Sequence, residues 1–123
     1  MTNAEFNQKF CERTKAFAIR SLKFVESLPF NTSTKVLGDQ YLRSSTSVNS
    51  NYRAFCRSRS QNEKLAKICI VVEEADESVG WLEVFQHSKF GDKIEINWLL
   101  KEATELLLVT SSIKNGLYKV KFR

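Results

Sequence analysis

Proline and glycine are scarce in this sequence, with one and four residues respectively among 123. All-β proteins use these residues freely in turns, so their scarcity favours long helices with few connections. The fractions of apolar residues (42%) and charged residues (27%) are ordinary for a globular protein. A chain of this length is large enough for one domain with a continuous core.

Residues that bind metals or form disulfides are also few. His87 is the single histidine, and Cys11, Cys56 and Cys69 form no CxxC pair. One histidine and three separated cysteines exclude a zinc site with the usual ligand spacing. An odd number of cysteines without an apolar export segment indicates free thiols in a reducing compartment. No apolar run approaches membrane length, so we expect no membrane contact. We therefore expect a cytoplasmic protein. We also expect no metal and no cofactor.

The net charge of +5 is unevenly distributed along the chain. Residues 1–60 contain ten Lys or Arg and four Asp or Glu, whereas residues 61–92 contain three and seven. Residues 93–123 contain six and three, so the balances are +6, −4 and +3. This asymmetry suits either a polyanionic partner or head-to-tail self-association, in which a basic face meets an acidic face.

Apolar residues recur at three- and four-residue steps in four segments, which is the spacing of amphipathic helices. The predicted helices cover residues about 4–28, 33–57, 61–87 and 93–114. Four such helices with short turns bury their apolar stripes most simply as an all-α, up-down-up-down four-helix bundle. We therefore predict one such domain over residues 1–123.

Local signals mark the ends of these helices. In chain order they are Pro29, an N-cap at Thr32 or Ser33, the capping box Ser60-Gln61-Asn62-Glu63, and the pair Asn115-Gly116. The basic tail, residues 117–123, is then either disordered or packed on a partner.

A run of hydroxyl residues, Ser44, Ser45, Thr46, Ser47 and Ser50, lies inside the predicted second helix. Consecutive helical residues point in different directions, so these hydroxyls cannot form one cluster. A serine nucleophile needs a base, and the single histidine lies about forty residues away. We interpret Ser44, Ser45 and Ser47 as small residues that let a neighbouring helix approach, with hydroxyls bonded to carbonyls one turn earlier.

Four short motifs, taken in order, resemble those of the four-helix-bundle family named for 23S rRNA intervening-sequence proteins. They are R-S-x-x-S-hydrophobic-x-x-N on the second helix, S-x-x-E at the start of the third, E-A-x-E-x-x-x-W-L near its end, and E-x-x-E-L on the fourth. The matching residues are Arg43, Ser44, Ser47, Val48 and Asn51, then Ser60 and Glu63, then Glu74, Ala75, Glu77, Trp81 and Leu82, then Glu102, Glu105 and Leu106.

This resemblance implies a non-enzymatic bundle that assembles into a ring-like homopentamer. Relatives of similar fold include the accessory variability determinant of diversity-generating retroelements. That protein works with a reverse transcriptase and binds nucleic acid through a basic surface. The partners implied for this chain are therefore further copies of itself, RNA or DNA, and a reverse transcriptase or other protein.

Arg43, Arg53, Arg57 and Arg59 are the candidate contacts to a polyanion, because phosphates need a positive field and reachable donors. Arg53 and Arg57 lie one helical turn apart and share a face. Tyr52 is the candidate for stacking on an exposed base. The alternative is that these arginines pair with acidic residues of the third helix, within the subunit or across a subunit interface.

Five further residues are assigned structural or interface roles. Glu73, Glu74 and Glu77 are the acidic partners in that alternative, and without histidines they do not match a bundle metal site. Asn51 is either exposed or, as we favour, an amide that fixes helix register across the bundle. Trp81 is assigned to core or interface packing.

The sequence thus predicts a non-enzymatic oligomer that presents a basic surface to nucleic acid or to a nucleic-acid-processing partner. No pair of residues offers a convincing general acid and base. The alternative is a protein-interaction subunit whose arginines serve assembly and which has no affinity for nucleic acid.

Overall fold

Four α-helices joined by short connections make up the structure, a computed structural model that describes residues 1–122. The helices are α1 (Asn3–Glu26), α2 (Thr32–Cys56), α3 (Gln61–His87) and α4 (Lys93–Lys121). Each helix packs mainly against its neighbours in the chain, and α1 touches α4 less extensively. The predicted all-α four-helix bundle is confirmed.

The core is built from apolar stripes of all four helices. Toward the end of the bundle that carries the α3–α4 connection, the rings of Phe24, Tyr41 and Phe85 meet edge to face, with centroids 5.2–6.2 Å apart. Such contacts stabilise an aromatic pair beyond the burial of its area. The buried Tyr41 hydroxyl shares a 2.7 Å hydrogen bond with Ser21 Oγ of α1. This bond satisfies a polar group whose burial would otherwise cost free energy.

Small hydroxyl residues bring α2 close to α3. Ser44 and Ser45 are completely buried, and each hydroxyl donates to a carbonyl oxygen one turn earlier. Ser78 of α3 donates to Ser44 Oγ at 3.0 Å. Ser47 is half-buried. The interpretation of Ser44 and Ser45 as residues for close helix packing is confirmed.

The N-terminal cap of α2 is Asn31, so the prediction of Thr32 or Ser33 is wrong. Asn31 Oδ1 accepts a 3.0 Å bond from the Thr34 backbone N–H, and Thr34 Oγ1 accepts a 3.1 Å bond from the Asn31 backbone N–H. This reciprocal pair satisfies two backbone N–H groups that have no carbonyl partner within the helix. The position of Thr34 three residues after Asn31 therefore decides which residue caps the helix.

The predicted end of α4 near residue 114 is also wrong, because the helix continues to Lys121. Gly116 lies inside the helix, without the positive φ that ends many helices. Ile113 and Leu117 lie one turn apart and pack against the core. Their burial outweighs the cost of a helical glycine, which is about 1 kcal/mol. Most of the predicted tail is thus helical, and its last residue, Arg123, lies outside the described residues.

The connection between α3 and α4 depends on Gly91, whose φ is 84°. A Cβ at this position would lie 2.9 Å from Phe24 Cε1 and 3.2 Å from Ile96 Cδ1. Glycine is therefore required both by the backbone conformation and by the close approach of the core.

Replacing Gly91 is expected to destabilise the fold. Gly91→Ala should lower the free energy of unfolding by about 1–3 kcal/mol, because it combines backbone strain with a clash. Gly80→Ala is the matched control, since a Cβ there would meet nothing within 4 Å. It should raise the free energy of unfolding by about 0.5–1 kcal/mol. Urea titrations followed by circular dichroism measure both, and an unchanged midpoint for Gly91→Ala would contradict this description of the loop.

Enlarging a buried serine is expected to force α2 away from α3. Ser44→Leu should lower the free energy of unfolding by about 1–3 kcal/mol through overpacking. Ser50→Leu on the same helix should change it by no more than about 0.5 kcal/mol, because Ser50 is exposed. Equal urea midpoints for the two variants would argue against close packing at Ser44.

Candidate nucleic-acid interface

The starts of α1 and α3 lie at the same end of the bundle as the ends of α2 and α4. A hydrogen bond of 3.2 Å from Tyr52 Oη to Asn7 Oδ1 joins α1 and α2 there. We call this the basic end and define it by residues 1–10, 53–67 and 112–121. Its nine bases are Lys9, Arg53, Arg57, Arg59, Lys64, Lys67, Lys114, Lys119 and Lys121, and its two acids are Glu5 and Glu63.

The opposite end of the bundle is electrically balanced. Residues 20–40 and 80–97 together contain five Lys or Arg and five Asp or Glu. The excess of positive charge in the described chain is therefore a property of one end of the molecule. The sequence showed an uneven charge, but only the antiparallel packing of the helices brings the bases of residues 53–67 and 112–121 together with Lys9.

Three of the predicted arginines lie at the basic end with their side chains free. Arg53, Arg57 and Arg59 are exposed, and none of them forms an ion pair within residues 1–122. Arg53 and Arg57 border a groove of about 420 Å³ between α1 and α2. At Arg59 the backbone N–H donates to Glu63 Oε2 at 2.9 Å, while the guanidinium remains open to solvent. Free guanidinium groups on one surface are suited to phosphate contacts.

Arg43, by contrast, pairs within the chain. Its guanidinium donates to Glu77 Oε1 and lies 3.5 Å from Glu74 Oε2. Trp81 Nε1 donates to the same Glu77 oxygen at 3.3 Å. The hydrogen bond from Arg43 lowers the pKa of Glu77, whereas burial raises the pKa of Glu74 despite the nearby guanidinium. Arg43 therefore follows the alternative in which an arginine pairs with acidic residues of the third helix. It connects α2 to α3 and does not contribute to the basic end.

The remaining predicted interface residues differ in placement. Glu73 is exposed, and no arginine pairs with it in the described part of the chain. Trp81 is half-buried and packs against the core. The carboxylates and His87 do not meet, and the described residues include no group of three or more His, Cys, Asp and Glu side chains that could hold a metal ion.

Tyr52 is completely buried, which corrects its assignment as a base-stacking residue. Its ring meets Phe10 edge to face at 4.9 Å and leans on Phe55 at 5.3 Å. Tyr52 lies on the apolar stripe of α2 together with Val48 and Phe55, so its periodicity already indicated the core. The ring has no free face for a nucleic-acid base.

The amide that crosses the bundle belongs to Asn49, not to Asn51. Asn51 Nδ2 donates to the Ser47 carbonyl oxygen of its own helix at 3.0 Å, so its predicted role in fixing register is wrong. Asn49 Nδ2 donates to Thr14 Oγ1 of α1 at 3.0 Å. Sequence reasoning missed Asn49. The available signal was Thr14, a polar residue inside the apolar stripe of α1 that required a partner.

A second surface feature is an apolar groove of about 680 Å³ beside α1 and the start of α4. Ala16, Ile19 and Phe24 of α1 line it together with Glu95 of α4, and Ile19 is 45% exposed. Arg20 bridges the two helices, with its Nε 2.6 Å from Glu95 Oε1 and its guanidinium 3.5 Å from the centre of the Trp98 ring. The groove is a candidate protein contact, since exposed apolar patches commonly mark such surfaces.

Comparisons with known proteins identify both a family and a fold. The family model for the 23S rRNA-intervening sequence protein matches residues 7–112. The structure is similar to the crystal structure of a protein with unknown function from the S23 ribosomal protein family of Bacteroides thetaiotaomicron VPI-5482. The TM-score is 0.78 at 23% sequence identity, covering 89% of this chain and 97% of that chain. At this identity the likeness shows the fold alone.

No curated protein matches the chain. Across residues 1–122, none of the helices has the length and apolarity needed to span a membrane.

Removing Arg43 is expected to lower stability in a pH-dependent way. The depressed pKa of Glu77 means that its ionised form stabilises the fold above the ordinary carboxyl pKa, and this contribution is lost as the pH falls through the lowered value. Arg43→Ala should therefore reduce the urea midpoint at pH 7 and approach the parent midpoint in acid. Arg53→Ala, on the same helix but without an ion pair, should show no such trend. A pH-independent loss for Arg43→Ala would exclude the ion pair as its cause.

Proposed function

This chain belongs to the 23S rRNA-intervening sequence protein family, and we propose that it is a non-enzymatic, oligomeric bundle whose basic end binds nucleic acid or a nucleic-acid-processing partner. The observation that carries the proposal is the free state of Arg53, Arg57 and Arg59 at an end with nine bases and two acids. A reverse transcriptase as that partner and a cytoplasmic location stay predictions.

Electrostatics supports a polyanionic partner. Basic side chains without an acidic partner remain fully available to attract phosphate. The charge of Arg43, in contrast, is neutralised by its ion pair with Glu77. Each neutralised phosphate releases a condensed counterion, so binding through the basic end should weaken steeply with added salt. The fold supplies the positions of these bases, and no base-reading element is required for this mode of binding.

A binding role also agrees with the state of the groups that catalysis would need. The hydroxyls of Ser44, Ser45 and Thr46 bond to carbonyl oxygens of their own helix. His87 is exposed at the far end of α3, where its Nδ1 lies 3.0 Å from the Glu83 carbonyl oxygen. Neither arrangement brings a nucleophile to a base.

Self-association is the second part of the proposal. The family resemblance implies a homopentamer, and the apolar groove beside α1 and α4 is the surface that best suits a contact between copies. Outside the groove itself, α4 also exposes the large apolar side chains of Ile94, Trp98 and Leu108, which are 81%, 42% and 65% exposed and add to the apolar surface available for such a contact. The same groove favours the alternative function, a protein-interaction subunit without nucleic-acid affinity.

Reversing the charge at the basic end tests the first part. Arg53→Glu/Arg57→Glu/Arg59→Glu should raise the Kd for a labelled RNA about tenfold or more at low salt and flatten the dependence of log Kd on log salt by about two to three units. Lys15→Glu/Lys23→Glu/Lys89→Glu changes the net charge by the same amount at exposed positions outside the basic end. This control should raise the Kd for the RNA less than the arginine variant does. Fluorescence anisotropy measures both variants.

Light scattering behind size exclusion tests the second part on the same proteins. The parent chain should show a mass near five subunits, and the arginine variant should keep it. If the arginine variant instead dissociates while the parent chain shows no affinity for RNA, the arginines serve assembly and the alternative function holds. A monomeric parent would contradict the proposed assembly.

A further inference from the structure

The last turns of α4 carry an exposed pair of aromatic rings. Tyr118 and Phe122 lie one helical turn apart, and their rings stack with centroids 5.5 Å apart and planes 19° from parallel. They are 39% and 67% exposed. Leu117, the residue before Tyr118, packs against the core and holds this part of α4 to the bundle. The two rings are therefore presented to solvent on an anchored helix.

Lysines surround these rings, and acids are absent from this part of the sequence. Lys114 Nζ lies 6.0 Å from the centre of the Tyr118 ring, and Lys121 Nζ lies 5.5 Å from that of Phe122. Lys119 is exposed nearby. No Asp or Glu occurs in the sequence after Glu105. None of these lysines forms an ion pair within residues 1–122, so the surface combines π faces with positive charges that are available to a partner.

We propose that Tyr118 and Phe122 form a stacking site for unpaired bases, so that the partner of the basic end is a single-stranded nucleic acid. This inference rests on the proposed function. Aromatic side chains in a positively charged surface bind single strands because every base has a π face, and adjacent lysines contact the backbone phosphates. Tyr52 is buried, so the exposed rings of the basic end have to supply any stacking there.

Single strands fit this surface better than other occupants. In a duplex the bases already stack on each other, so a duplex offers the lysines its phosphates but offers the rings nothing. A second copy of the same end would bring like charges together, which opposes association. An anionic membrane would need a longer apolar face than one aromatic pair and Val120 provide.

The test compares the binding of two labelled RNAs to the whole chain, a 20-nucleotide oligouridine and a 20-base-pair duplex. The parent should bind the single strand more tightly. Tyr118→Leu/Phe122→Leu keeps apolar volume and charge but removes the rings, and it should weaken single-strand binding about tenfold. Its affinity for the duplex should stay unchanged. Tyr118→Phe/Phe122→Tyr keeps two rings and should bind as the parent does.

The outcomes separate this inference from the proposed function. Equal loss for both RNAs, or no loss for either, overturns the stacking site while leaving binding by the basic end in place. If the parent binds neither RNA, the proposed function fails and this inference with it. Ring-dependent binding to vesicles of phosphatidylserine and phosphatidylcholine without RNA binding, or a ring-dependent change of oligomeric mass, would assign the rings to a membrane or protein contact instead. Circular dichroism of the leucine variant checks that α4 is intact.

Discussion

The structure depends on polar contacts buried between α2 and the helices beside it. Asn49 bonds to Thr14, Tyr41 shares a hydrogen bond with Ser21, and Ser78 donates to Ser44. Apolar packing alone tolerates helix rotation and sliding, whereas a buried polar group without its partner is costly. These contacts therefore set the rotation of α2, and that rotation determines which of its arginines face α3 and which face solvent.

Much of this fold was readable from the sequence. Apolar periodicity placed both ends of α1, α2 and α3 within two residues, because long amphipathic helices carry the strongest local signal. The end of α4 was missed because Asn115-Gly116 is a local signal, while the packing of Leu117 is a tertiary one. The same distinction explains the cap of α2, where several neighbouring residues were competent and a hydrogen bond to Thr34 selected one.

The candidate site was less predictable than the fold. A single helix pattern shows that Arg43 and Arg53 are both polar positions, but only the placement of α3 reveals that Arg43 meets Glu77. The burial of Tyr52, in contrast, could be predicted from the sequence, because this residue lies on the apolar stripe of α2. The aromatic pair depends on the last turns of α4, beyond the predicted end of that helix near residue 114. The basic end is thus a product of helix packing, which assembles it from segments that are distant in sequence.

The one-sided distribution of bases gives the molecule an electric polarity along its long axis. The macrodipoles of antiparallel helices largely cancel, so side-chain charge determines this polarity. A helix of 24 residues such as α1 extends for about 36 Å, which is several times the Debye length of about 8 Å at physiological ionic strength. The two ends therefore act as electrically separate surfaces. A polyanion approaching within that screening distance would turn the bundle basic end first, before any contact forms.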